Sequence, residues 1–370
     1  MRILYFSRDY TPHDHRFLAA IAESGHEVFY LRLENRGRQL EDRPVPDKVQ
    51  LVHWRGGKKT AKRSDFLPLL FSLKKVIGEI HPDVIHAGPI QTTAFLTALS
   101  GFKPLVSMSW GSDLLKDADR NWRSRFATRF TLRHSTLLLG DCEAVREKAV
   151  EFGFPKERVV LFPWGIDLNR FTPARNDDFR QRRGWQNEFV VLSLRSMEPL
   201  YGVDLVAKGF VRAAQQEPAL RLLLLGSGSQ AAGIRQLISD YGLEDRVFWG
   251  GQVNQEQLPA YYQAADLYIS ASHSDGSSVS LLEALASGLP VLVSDIPGNR
   301  EWVSAGQQGW FFADGDDQAI TDGILEAYRS RANRASMCTA ARTIAEERAD
   351  WSKNSAKLLT AYQLATELKR

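Results

Sequence analysis

The run Asp275-Gly276-Ser277-Ser278-Val279 sets a carboxylate, two hydroxyls and several backbone N–H groups directly before the apolar stretch Val279 to Ala286. A loop of this composition opening a helix suits an anionic ligand, because the first turn carries unpaired N–H donors and the positive end of the helix dipole. Glu283 follows Asp275 by eight residues, which in a helix puts the two carboxylates roughly two turns apart on one side. The same residues are also compatible with an ordinary strand–loop–helix in which Asp275 is the N-cap. On either side, Asp266 to Ser270 reads as a strand with a polar end, Gly288-Leu-Pro290 as a helix stop, and Val291 to Val293 as a buried strand.

The elements that must hold this loop alternate between strand and helix. Arg2 to Phe6 reads as a first strand, Ser7 to His15 as a polar loop, Arg16 to Gly25 as an amphipathic helix and His26 to Leu33 as a second strand. The alternation continues through helix Leu67 to Ile80, strand Val84 to His86, helix Gln91 to Ser100 and strand Pro104 to Met108, and it predicts parallel α/β sheets. No G-x-G-x-x-G follows the first strand, which argues against a dinucleotide-binding domain. Glu34 to Arg63 reads as a solvated polar loop, strongly basic from Arg55 to Arg63. The chain has 370 residues, room for two domains of ~150–200 residues each. No apolar run approaches the ~18 residues of a transmembrane helix, and the start is too soon charged for a signal peptide. Cys142 and Cys338 match no metal or redox spacing, so a cytoplasmic setting is the default.

Several segments together carry a family resemblance. Asp275, seven residues, Glu283, then the turn Asp295-Ile-Pro-Gly-Asn-Arg-Glu301, resembles the donor-site signature of the retaining GT-B glycosyltransferases of family four, in which both acids are Glu. Arg195-Ser-Met-Glu-Pro-Leu-Tyr-Gly202 resembles that family's Arg-x-x-x-x-Lys-Gly, with Tyr201 in the Lys place and one residue more between. Gly226-Ser-Gly228 resembles its glycine loop beside the nucleotide, and Val247 to Val253 its strand and turn beside the base. Trp110-Gly-Ser-Asp113 resembles His-Gly-x-Asp, with Trp110 for the His that touches the donor sugar. Val159 to Phe171 is similar to the interdomain connector, with Trp164 for its Asn.

The resemblance implies an α/β fold of the GT-B kind: two Rossmann-like α/β/α domains facing across a cleft, with a C-terminal helix crossing back to the first. The expected domains are an acceptor-side domain over residues 1–168, joined by helix 354–370, and a nucleotide-sugar donor domain over 169–353. It further implies transfer of a sugar from a nucleotide-sugar to a hydroxyl of a glycan, lipid or small molecule, with the anomeric configuration retained. Arg195 and the N–H groups of Gly276, Ser277, Ser278 and Val279 would meet the diphosphate charge; Asp275 would hold the sugar and Glu283 the ribose. Tyr201, Gly202, Gly226, Gly228, Gln252 and Val253 would complete the donor side, and His13, Asp14, His15, Arg16, Trp110 and Asp113 the acceptor side. No Asp-x-Asp stands in a fitting place, so the expectation is a reaction without metal or other cofactor, the nucleotide-sugar being a co-substrate. A nucleotide-sugar epimerase shares the fold but would not bring Glu283 and the Pro-Gly-Asn-Arg-Glu turn in this order. A sugar- or lipid-binding protein with weakened catalysis would account for Trp110 and Tyr201 together.

Charge divides unevenly. Residues 1–172 sum to +7 and residues 173–370 to −4, within a net +3, which suggests that the halves meet different partners. Nucleic acid is not expected among them. Arg120 to Leu132 interleaves Trp122, Phe126 and Phe130 with arginines, the aromatics falling four apart on one helical stripe. A core-facing stripe is the favoured reading. The other is a surface helix dipping into anionic lipid, with the protein peripheral at the inner face of a membrane.

Overall fold

The computed structural model describes residues 1–35 and 41–368, apart from the side chains of Arg63 and Asn333. The chain divides into two compact units, Met1–Pro163 with Ser352–Arg370, and Trp164–Trp351.

Among the described residues the first unit holds a seven-stranded sheet. Its strands are β1 (Arg2–Ser7), β2 (Glu27–Arg32), β3 (Val49–Leu51), β4 (Val84–Gly88), β5 (Leu105–Met108), β6 (Leu137–Gly140) and β7 (Val159–Leu161). They run in the order β3-β2-β1-β4-β5-β6-β7, every pairing parallel. A parallel sheet covered on both faces needs strands that are apolar on both sides, and Ile3-Leu4-Tyr5-Phe6 is buried throughout. The C-terminal helix Trp351–Glu367 joins this unit from Ser352 onward, its Tyr362 hydroxyl 2.6 Å from Nδ1 of His86 on β4. Burial drives His86 down to about 3, so its imidazole stays neutral.

Three expectations for this unit change. The first helix spans Pro12–Glu23, starting earlier than the sequence suggested because Thr11 and Asp14 form a capping box with Pro12 at the first turn. His13, Asp14 and His15 therefore lie on helix and not in a polar loop, together with Arg16, which was expected there. The stretch from Glu34 to Arg63 contains β3, and its Glu34 and Glu41 are buried and ion-paired with Arg8 and Arg43 at 2.6 and 2.7 Å; residues 36–40 of that stretch lie outside the described residues. Helix Trp122–His134 buries Ala127, Thr128, Thr131 and Leu132, not its aromatic stripe. Thr131 donates to the Ile90 carbonyl (3.2 Å) and Gln91 to Thr128 Oγ1 (2.9 Å), so small, hydrogen-bonding side chains bring the helix close and leave Trp122 and Phe126 outside.

The second unit has, among the described residues, a six-stranded sheet of β8 (Phe189–Ser193), β9 (Leu220–Leu225), β10 (Val247–Gly251), β11 (Leu267–Ser270), β12 (Val291–Ser294) and β13 (Gly309–Phe312). The order is β10-β9-β8-β11-β12-β13, again all parallel. Side chains alternate across the sheet: Val191, Leu222 and Leu224 enter one core, Val190, Leu192, Leu223 and Leu225 the other. Strand order reverses between β8 and β11, and loops leaving the carboxyl ends of strands at such a point form a crevice. Arg195 follows β8 and Asp275 follows β11.

Candidate active site

Arg195 is the centre of the second unit's crevice. Its guanidinium donates to Asp275 Oδ2 (2.6 Å), Ser278 Oγ (2.8 Å) and Ser280 Oγ (3.2 Å), and lies 4.3 Å over the Tyr201 ring. The arginine and aspartate side chains are 15% and 16% exposed, a pair reachable by a ligand yet largely desolvated. Burial, the largest single influence, would lower the Arg195 pKa; the Asp275 carboxylate and the Tyr201, Tyr268 and Tyr262 hydroxyls together outweigh it and hold the group above its ordinary range, fully charged. Its buried Nε meets no hydrogen-bond partner, and neither do Ser193 Oγ at the end of β8 nor Gln230 Oε1 in the loop after β9. Unmet polar atoms of this kind call for a polar ligand or water.

Asp275 stands in the loop and not on the helix, which spans Val279–Ala286 with Ser278 as N-cap. The two acids are therefore not stacked along one helical face, and Asp275 is not a cap. Ser278 makes no side-chain capping bond, its hydroxyl being turned to Arg195. The helix start thus presents N–H groups and a dipole end beside the guanidinium, a setting for negative charge.

Glu283 is buried, and its Oε2 accepts from the Tyr262 hydroxyl at 2.8 Å. Tyr262 also reaches the Ser280 carbonyl (3.1 Å), and Ser280 Oγ sits 2.8 Å from Tyr268 Oη. Burial first, and the Glu283 charge second, push the Tyr262 hydroxyl well above its usual range, so it remains a donor. A continuous polar chain therefore runs Asp275–Arg195–Ser280–Tyr262–Glu283. Sequence reasoning missed Ser280, Tyr262 and Tyr268: two are tyrosines in apolar runs, whose polar tips acquire meaning only from their neighbours in space.

The surrounding loops are stitched to one another. Met197 N and Ser196 Oγ both donate to Ser227 O (3.0 and 3.1 Å), and Gln230 N donates to Met197 O (2.9 Å), tying the Arg195 loop to Gly226 and Gly228. Gly226 N donates to the carbonyl of Gly251, next to exposed Gln252 and half-buried Val253. Behind the Asp275 loop, Trp302 Nε1 donates to Ser277 Oγ (3.0 Å), and a Cβ on Gly298 would fall 2.5 Å from the carbonyl oxygens of Asp275 and Gly276. Gly202 has φ +58°, and its Cβ would fall 2.3 Å from the Ala271 carbonyl, so the close approach of these two loops requires glycine. Lys208 points away, pairing with Asp204 at 3.3 Å.

In the first unit, His13 and Trp110 meet with ring centroids 5.2 Å apart, and Phe17 packs against Trp110 at 6.0 Å. His15 Nδ1 lies 2.8 Å from the Tyr10 hydroxyl, and Arg16 is half-buried on the same helix. Asp14 and Asp113 are buried inside the unit: Asp14 accepts from Tyr5 Oη and Thr11 N (both 2.9 Å), Asp113 from Ile90 N (2.9 Å), Ser109 Oγ (2.7 Å) and Trp110 N (2.8 Å). Desolvation raises both carboxyls to about 6 against these bonds. The geometry makes Asp113 the anchor of the Trp110 turn.

The family profile described as Glycosyl transferases group 1 matches residues 175–357, and that of Glycosyltransferase Family 4 matches residues 13–170. The chain belongs to the family-four glycosyltransferases. This glycosyltransferase is 33% identical over 184 residues to mannosylfructose-phosphate synthase of Agrobacterium fabrum, covering 46% of this chain and only 40% of that longer protein. It is 26% identical over 373 residues to D-inositol 3-phosphate glycosyltransferase of Pseudarthrobacter chlorophenolicus, covering 94% of this chain and 88% of the other. Anabaena HepE in complex with UDP-glucose superposes with a TM-score of 0.82, at 21% identity over 98% of this chain and 99% of that one. Sucrose-phosphate synthase from Thermosynechococcus elongatus gives 0.79 at 18% identity, over 98% of each chain. The fold of this glycosyltransferase is accordingly GT-B, two parallel-sheet α/β domains. No helix among its described residues is long and apolar enough to cross a membrane.

Proposed function

We propose that the chain moves a sugar from a nucleotide-sugar donor to a hydroxyl acceptor with retention of anomeric configuration and without a metal ion. The observation that carries this reading is Arg195: charged, mostly desolvated, set beside a helix start at the strand-order reversal, with a buried Nε unmet. As the bond between sugar and diphosphate breaks, negative charge grows on the leaving group. Fixed donors aimed at that charge are usually the largest contribution to catalysis of this kind. In this reading the diphosphate takes over the Arg195 bonds now made to Asp275, and the freed carboxylate turns to the sugar hydroxyls. Glu283, oriented by Tyr262, meets the ribose. The UDP-glucose complex of HepE and the glycosyltransferase names of the relatives support a nucleotide-sugar as donor. Trp110, steadied by His13 and Phe17, offers an aromatic face for the acceptor in the first unit.

Tyr201, standing where the family has a clamp lysine, favours a second reading, a binding protein with weakened catalysis. Its ring shields the Arg195 guanidinium but adds no cation. Incubation with UDP-, GDP-, ADP- and dTDP-sugars, read as nucleotide release and glycoside formation, separates the two. Product of retained configuration, formed equally in EDTA, is the expected result. Tight nucleotide binding with no turnover of any donor would leave the second reading standing, and loss of activity in chelator would refute the metal-free mechanism.

A further inference from the structure

Helix Trp122–His134 turns Trp122 and Phe126 away from the unit that carries it. Trp122 is 73% exposed and Phe126 57% exposed, while Phe130 is half-buried against Phe95 with ring centroids 5.7 Å apart. Arg125, Arg129 and Arg133 run along the same side, and together with His134 these residues line a groove of about 590 Å³. The helix contains four arginines and no acidic residue. Phe95 also links it to helix Phe66–Ile80, its ring 6.4 Å from Phe126 and 6.0 Å from Phe66. On that second helix Leu67 and Phe71 are 62% and 70% exposed, followed by exposed Lys74 and Lys75.

We infer that this face docks reversibly on an anionic lipid bilayer. Trp122, Phe126, Leu67 and Phe71 enter the boundary between headgroups and acyl chains, and the arginines and lysines meet lipid phosphates. Large apolar side chains interleaved with cations, on helices too polar to span a membrane, are what such a boundary accepts. Charge selects this occupant over a second copy of the chain: Arg125 is already ion-paired with Asp119, but self-pairing would bring Arg129 and Arg133 of one copy against those of the other. The proposal is independent of the donor chemistry above. It answers the +7 sum of residues 1–172, which the donor site does not use.

Co-sedimentation of the full chain with vesicles tests it, using phosphatidylcholine alone or mixed with phosphatidylglycerol, at low and at physiological salt. The chain should pellet with the anionic vesicles, less so at higher salt, and stay in solution with the neutral ones. Arg129→Gln with Arg133→Gln should weaken binding roughly 25-fold, about fivefold for each cation lost from the surface. Trp122→Ser with Phe126→Ser should weaken it at least about tenfold at unchanged thermal stability, since both side chains already face solvent. Equal recovery in the supernatant under all conditions overturns the proposal, as does binding that both double variants leave intact. So does a dimer in gel filtration that Trp122→Ser with Phe126→Ser dissolves while vesicles capture nothing.

Discussion

Replacing Arg195 by Ala removes the group that joins Asp275, Ser278 and Ser280 and leaves the Tyr201 ring uncovered. Loss of one preorganised donor to a leaving group lowers kcat by about 10²–10³, or ~2.7–4 kcal/mol in the transition state. Stability should change less. Breaking a fully buried ion pair costs about 3–5 kcal/mol, but Asp275 is 16% exposed and can recover water, which brings the figure to about 1–2 kcal/mol. For domains of this size that lowers Tm by about 2–8 °C, leaving the variant folded at 25 °C. Arg195→Lys keeps a charge but not the fork that reaches three oxygens, so it should recover only part of the loss. The assay is nucleotide release at saturating donor, with calorimetry for nucleotide affinity and a thermal melt on the same preparations. Because leaving-group charge is greatest in the transition state, kcat should fall further than affinity. A folded Arg195→Ala variant turning over within threefold of wild type would show that the arginine only braces the loop.

Glu283→Gln keeps the size of the side chain and a partner for Tyr262 but loses a charged acceptor; nucleotide affinity should drop by about 1.5–3 kcal/mol in calorimetry, and unchanged affinity would remove Glu283 from the ribose site. Gly202→Ala forces a Cβ against the Ala271 carbonyl at positive φ, and should cost ~2–4 kcal/mol in urea unfolding; no loss would mean the two loops part freely. Asp14, raised from 3.8 to about 6 by burial, favours the folded state fully below pH ~4 and loses that contribution as pH climbs through 6. Relative to wild type, Asp14→Asn should therefore gain up to about 3 kcal/mol between pH 4 and 7, and a difference that stays flat would contradict the raised pKa.

Most of the strands were legible because apolar runs of four to six residues between helical patterns leave little choice in a parallel sheet. Arg195 and Ser278 were legible for a related reason: both follow strands, at loop positions where the chain turns polar. The side that helix Trp122–His134 presents was not. Periodicity shows that Trp122, Phe126 and Phe130 share a stripe, but hydrophobicity wrongly points that stripe inward. Close packing through Ala127, Thr128 and Thr131 depends on Ile90 and Gln91, which are about thirty to forty residues away in the chain. The short strand β3 escaped because among the described residues it pairs with β2 alone and two of its three side chains are exposed. Helical spacing likewise misplaced Asp275, since the loop runs on to Ser278 before the helix begins.

The contact between His86 and Tyr362 joins positions 276 residues apart and brings consequences for synthesis. The second unit is one uninterrupted stretch, so everything it needs has left the ribosome before the C-terminal helix appears. The first unit begins earliest and is completed last. Until Tyr362 arrives, His86, around which Tyr5 and Phe17 pack, lacks the hydroxyl partner of its Nδ1. A premature stop before Tyr362 would therefore injure the part of the protein translated first, while the part translated next to it remained whole.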